Sequence, residues 1–113
     1  MENWEKGRGL LRAGSYAEAA RAFLAELEAQ KEAFTVQLFV ACSEETVQRA
    51  AAGSSAKELY TRVVRYQGKE CWSLGWGVYR SEEQARAAAG GVPARLLAGG
   101  VTPKVSPVAR LLR

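Results

Sequence analysis

Apolar positions in the first thirty residues recur with helical spacing. Tyr16, Ala19, Ala20, Phe23, Leu24 and Leu27 fall on one stripe of a 3.6-residue period and predict an amphipathic helix. Trp4, Leu10 and Leu11 predict a helix ahead of it, and Gly14-Ser15 supplies the break between the two. From Phe34 the period changes to two. Phe34, Val36, Leu38 and Val40 alternate with Thr35, Gln37, Phe39 and Ala41, which predicts a strand with its all-apolar row toward a core. Strict alternation then leaves Gln37 and Phe39 together on the opposite face.

After this strand the chain reads SEETVQRAAAG (43–53), and after a later strand-like run it reads SEEQARAAAG (81–90). Each is a serine-capped helix with glutamates in its first turn, where the positive end of the helix dipole favours them. Gly53 and Ser54-Ser55 are expected to end the first copy; Gln84 completes a capping box in the second. Between the copies, two β-branched and aromatic runs flank Gln67-Gly68-Lys69 and predict a hairpin. The final stretch, VTPKVSPVARLL, is strand-like, and Pro103 and Pro107 confine it to a sheet edge. The expected fold class is therefore α+β: a ferredoxin-like βαββαβ antiparallel four-stranded sheet with two helices on one face, plus an N-terminal helical hairpin. The other face of the sheet is expected to stay open for a ligand. The expected division is a helical hairpin over 1–31 and the sheet domain over 32–113.

Charge narrows the partner. The net charge is +4; the segment before Phe34 is close to neutral, and the excess of basic residues follows it. A basic sheet domain suits an anionic partner or a basic solvated surface equally. The chain has no histidine, which removes the usual general base and the commonest metal ligand, and its two cysteines alone do not make a structural zinc site. No nucleophile–base pair or carboxylate dyad can be assembled, so no enzyme activity, cofactor or metal is expected. Gly75-Trp76-Gly77 lacks the third glycine of a dinucleotide fingerprint. No apolar run is long enough for a membrane helix, and any membrane attachment is expected to come from an anchor in a parent protein.

Two resemblances add to this reading. Gly14, Tyr16, Ala19 and Phe23 stand as in a tetratricopeptide helix pair, which implies a protein partner for the N-terminal helices; Glu26 departs from the small residue usual there. One such unit does not bury its own apolar face, so it either ends a longer array or docks on the following domain. Thr35-Val36-Gln37-Leu38, Gly77-Val78-Tyr79 and Ser81-Glu82-Glu83-Gln84-Ala85, in that order, resemble a SPOR (sporulation-related) domain over about residues 33 to 112. That resemblance implies a bacterial peptidoglycan-binding module, recognising glycan strands stripped of stem peptides at division septa. It also implies a periplasmic or cell-envelope location, with no nucleic acid partner.

The family's ligand lies on the open sheet face, and its first-strand glutamine corresponds to Gln37. A sugar chain offers C–H faces to aromatic rings and N-acetyl amides to hydrogen-bonding groups. Phe39 and Tyr66 are expected to supply the rings, and Gln37, Arg62 and Ser73 the hydrogen bonds. Trp72 and Trp76 share the parity of Leu74 and are expected in the core. The alternatives are an RNA-binding domain of the same topology and a protein–protein interaction module; against the first, the open positions of the third strand are Cys71, Ser73 and Gly75 rather than aromatics. Cys42 and Cys71 end and begin neighbouring antiparallel strands, which brings them close. Alternation nevertheless points Cys42 inward and Cys71 outward, so two free thiols are expected, with Cys42 the more buried.

Overall fold

A computed structural model of the protein describes residues 2–52, 58–97 and 100–112. The expected end of the third helix, at Gly53 and Ser54-Ser55, lies outside these residues. Helices α1 (Glu2–Arg12) and α2 (Tyr16–Ala29) come first, followed by β1 (Phe34–Ala41) and α3 (Glu44–Ala52). Then come β2 (Leu59–Tyr66), β3 (Lys69–Tyr79), α4 (Glu82–Ala89), a 3₁₀ turn at Ala94–Leu97, β4 (Lys104–Pro107) and α5 (Val108–Leu111). The chain is α+β, with a four-stranded antiparallel sheet in the order β2-β3-β1-β4 and five helices among the described residues. This arrangement is compatible with a ferredoxin-like fold preceded by helices.

The hairpin between β2 and β3 turns at Gln67 and Gly68, both at positive φ (52° and 78°), the pairing a tight two-residue turn demands. Ser81 caps α4 by accepting a hydrogen bond from the Gln84 N–H at 3.1 Å. The return bond of the expected capping box shifts by one residue: Gln84 Oε1 accepts from the Arg80 N–H. β4 is an edge strand paired only with β1, as its prolines require. The strand expected to continue through VARLL stops at Pro107, and Val108–Leu111 turns into α5.

Two register shifts bend β1 against β3. The first lies between Thr35 and Val36, where Gly77 is the extra residue on β3, at φ 73°. Glycine adopts this conformation without Cβ strain, and a Cβ here would also run into the Tyr79 ring. The second shift lies between Gln37 and Phe39, with Leu38 the extra residue on β1. Gln37 stands opposite Gly75 and Phe39 opposite Leu74. Because Gly75 and Leu74 are adjacent, they point to opposite faces, and so do Gln37 and Phe39.

That one bulge corrects the cysteines as well. Beyond Leu38 the parity of β1 is inverted, so Cys42 comes round to the face of Cys71. The two form a disulfide, with Cα atoms 4.3 Å apart, in place of the expected free thiols. The expected order of burial is also reversed: Cys71 is fully buried and Cys42 exposed.

The apolar stripe of the N-terminal helices is spent on the sheet. Trp4 and Phe23 pack edge to face at 5.0 Å, and both lie on Tyr60 of β2, at 5.3 and 5.9 Å. Tyr16 meets Trp72 at 6.0 Å. Trp4, Leu11, Tyr16, Ala19, Phe23 and Leu27 belong to the same core as Val36, Leu59, Leu74 and Trp76. The outer positions of α1 (Glu2, Asn3, Glu5, Lys6, Gly9 and Arg12) are exposed and carry no apolar row for a further repeat. Glu26, the departure from the repeat pattern, is buried and accepts a 2.6 Å hydrogen bond from Gln30. By lying along β2 the hairpin also covers a sheet edge that would otherwise offer unpaired backbone groups.

Candidate functional site

The face of the sheet carrying Gln37 is only partly open. Cross-strand register puts Thr35, Gln37, Tyr60, Arg62, Ser73, Gly75, Lys104 and Ser106 on it together. Around Tyr60 and Gly75 the face is closed. Tyr60 is fully buried beneath Trp4 and Phe23, with its ring over Gly75, where no side chain larger than hydrogen fits. The Thr35 hydroxyl donates to the Gly77 carbonyl at 2.6 Å and lies 2.8 Å from the Tyr60 hydroxyl. Since Thr35 has one proton and gives it to Gly77, the phenol must donate to Thr35. Burial raises the Tyr60 phenol above its ordinary value, against smaller opposing effects of Thr35 and Arg62, and keeps it a neutral donor.

What remains open is a groove of about 650 Å³. Gln37, Arg62 and Val64 come from the sheet, Leu24 and Glu28 from α2, and Arg110, Leu111 and Leu112 from the C-terminal segment, with Val63 and Arg65 completing the β2 side. Its volume is within the ordinary range for a ligand site, roughly 300–1,000 Å³. Gln37 is half-buried, and its amide makes no hydrogen bond within the chain among the described residues. Arg62 is half-buried too, and its Nη1 donates to the Leu111 carbonyl at 3.1 Å, which ties α5 across the sheet. Desolvation lowers the Arg62 guanidinium from its ordinary value, partly countered by Tyr60, and a guanidinium so far above neutrality remains charged.

Of the five residues expected to contact ligand, the groove gathers Gln37 and Arg62. Phe39 does not share their face: the Leu38 bulge turns it to the helix side, beside Thr46, Arg49 and Ala50 of α3. There the Arg95 guanidinium closes the end of α3 by donating to the Ala50 carbonyl at 2.7 Å. Ser73 has the expected face but is 6% exposed, sunk between its larger cross-strand partners Val40 and Arg62. Tyr66 is 49% exposed at the hairpin tip and does not line the groove. Cys71, also expected on an open position, is buried in the disulfide. Trp76 is buried and Trp72 half-buried against Tyr16.

The groove residues that escaped the sequence reading are those from outside the sheet. Leu24 was expected on the buried stripe of α2 but lies at its flank, 40% exposed beside Glu28, and Arg110 to Leu112 were expected in a strand. Pro107 immediately before Val108 was the available signal, because proline at a helix start breaks a strand while favouring a turn of helix.

No protein family, no curated protein and no solved structure matches this chain. Among the described residues no cluster of potential metal ligands occurs, and no helix is long and apolar enough to cross a membrane.

Proposed function

We propose that this chain is a non-catalytic binding module of the SPOR type, which takes peptidoglycan glycan strands into the groove floored by Gln37. The observation that carries the reading is the Gln37 amide itself. It is half-buried at the bottom of an open groove, with donor and acceptor both unspent within the chain among the described residues. An N-acetyl amide of a sugar chain matches both groups, and Leu24, Val64 and Leu112 offer apolar contact for sugar C–H faces. The strand order β2-β3-β1-β4, with a helix after β1 and another after β3, supports the finer assignment to a ferredoxin-like βαββαβ unit. The Cys42–Cys71 disulfide supports an oxidising compartment such as the periplasm.

A nucleic acid ligand is the second reading, favoured by the arginines around the groove. Sequence-tolerant single-strand binding uses aromatic platforms for base stacking, and none of the groove residues is aromatic. Co-sedimentation with purified sacculi tests the proposal. The chain is expected to pellet with sacculi, more strongly after amidase treatment, and to do so less as Gln37→Ala. Absence of sedimentation at low and moderate salt, with the fold intact by circular dichroism, would sink it.

A further inference from the structure

The N-terminal hairpin covers the outer edge of β2 over its first half only. Leu59 and Thr61 are buried, whereas Val63 is 41% exposed and Arg65 is exposed as well. The ladder shows which backbone groups this leaves open. The Gly77 N–H donates to the Glu58 carbonyl at 2.8 Å, so these two residues form a hydrogen-bonded pair. Such pairs alternate along an antiparallel ladder, and the β2–β3 register then turns the backbone groups of Arg62, Val64 and Tyr66 toward β3. Those of Val63 and Arg65 point away from the sheet. They make no hydrogen bond within the chain among the described residues. The opposite edge is blunted in another way, since β4 is only four residues long and ends on Pro107.

The side chains along this stretch define what pairs with it. Arg62 and Arg65 lie on opposite faces of the sheet, with Val63 and Val64 between them. Among the described residues neither arginine is in an ion pair, and Glu70, directly across from Arg65, lies beyond ion-pair distance of it. Arg62 keeps donors free besides its one bond to the Leu111 carbonyl. The groove alongside is lined by three arginines against one glutamate, Glu28. We infer that the free β2 edge is a docking site for an extended acidic peptide of another protein, added as a further strand beside Val63 and Arg65. Their outward N–H and C=O groups supply the main-chain hydrogen bonds of such an addition. Side chains set the sequence. A strand lying opposite Arg65, Val64, Val63 and Arg62 matches them as acid, apolar, apolar, acid, with one carboxylate beside an arginine on each face. This pattern reads the same in both directions, so it suits parallel and antiparallel addition alike. A second copy of this chain fits poorly, because pairing β2 with β2 gathers two Arg62 and two Arg65 side chains at one seam. A peptide here needs no glycan at Gln37, so the two bindings are measured separately.

The test uses the full chain and the capped peptide Thr-Glu-Val-Val-Glu-Thr, read by fluorescence anisotropy of the labelled peptide and by amide hydrogen exchange of the chain. In the free chain the Val63 and Arg65 amides are expected to exchange far faster than those of Arg62 and Val64. Saturating peptide should slow Val63 and Arg65 by about tenfold or more and leave Val64, already bonded to β3, unchanged. The same peptide with lysine for both glutamates, or N-methylated at both valines, is expected to bind about tenfold more weakly. R65E should weaken binding about two- to fivefold, the scale of an exposed ion pair. R86Q, a loss of charge on α4, should leave it unchanged. No binding, equal binding of the lysine or N-methylated peptide, or no slowing at Val63 and Arg65 would each overturn the inference. Dimerisation of the chain alone that protects these two amides would assign the edge to a second copy and overturn it too.

Discussion

Tyr60 shows how much one side chain can hold. Its ring is the floor on which Trp4 and Phe23 rest, and its hydroxyl ends a chain of two buried hydrogen bonds through Thr35 to Gly77. Tyr60→Phe keeps the ring and removes the donor, while Thr35 still donates to Gly77. The expected loss is about 1 kcal/mol, the usual worth of a buried hydrogen bond, read as a lower urea midpoint with an unchanged slope. Gln37→Ala behaves differently because no bond within the chain is lost. Its stability should stay within about 0.5 kcal/mol of the parent while glycan binding weakens. Unfolding of that variant would mean that Gln37 holds the sheet together instead of meeting a ligand.

At the scale of elements, the N-terminal helices and the disulfide hold the same sheet at different points. Phe23 is fully buried between α1 and Tyr60, so Phe23→Ala should cost roughly 3–5 kcal/mol as a core truncation. Removing residues 1–31 strips the cover from Tyr60, and the remainder is expected to lose its cooperative thermal transition. A truncated chain that melts cooperatively and still binds sacculi would show that the hairpin is an appendage. The disulfide closes a separation of 29 residues, for which chain entropy gives about 3.5 kcal/mol. Thiol titration of the denatured, unreduced protein should find no reactive thiol, and reduction should lower the melting temperature.

For the whole molecule, the fully buried Tyr60 and the half-buried Tyr79 set an alkaline limit. Burial raises Tyr60, and it pushes Tyr79 up to about 12, helped by Glu58 and by Tyr60. A raised value favours the neutral phenol in the folded state. This contribution is fully present below the unfolded value of about 10 and is lost as pH rises toward the folded values. Denaturation midpoints should therefore vary little from this cause up to about pH 9 and fall between about 10 and 12. Tyrosinate absorbance should show part of the tyrosine ionising only together with unfolding. A midpoint that stays level through this range would contradict the burial of Tyr60 and the partial burial of Tyr79.

Local signals were enough for most of the elements. The period of the apolar positions announced α2 and β1, Gln67-Gly68 announced the hairpin, Ser81 with Gln84 announced the start of α4, and the prolines put β4 at an edge. These features depend on neighbours within a few residues, so the chain states them directly. The candidate site was less legible. Gln37 and Arg62 were readable from strand parity up to Leu38, but a bulge depends on how β1 meets β3, and no residue of β1 alone advertises it. One extra residue inverts every later side chain, which sends Phe39 to the helices and brings Cys42 to Cys71. The groove is also made of parts that lie far apart along the chain, since α2 and α5 reach the sheet only through tertiary packing. Sequence by itself determined most of the segments that are helix or strand and which side chains carry the polar and aromatic groups available for contact. Which of those residues share one open surface was decided only when the strands paired and the helices settled over half of the sheet.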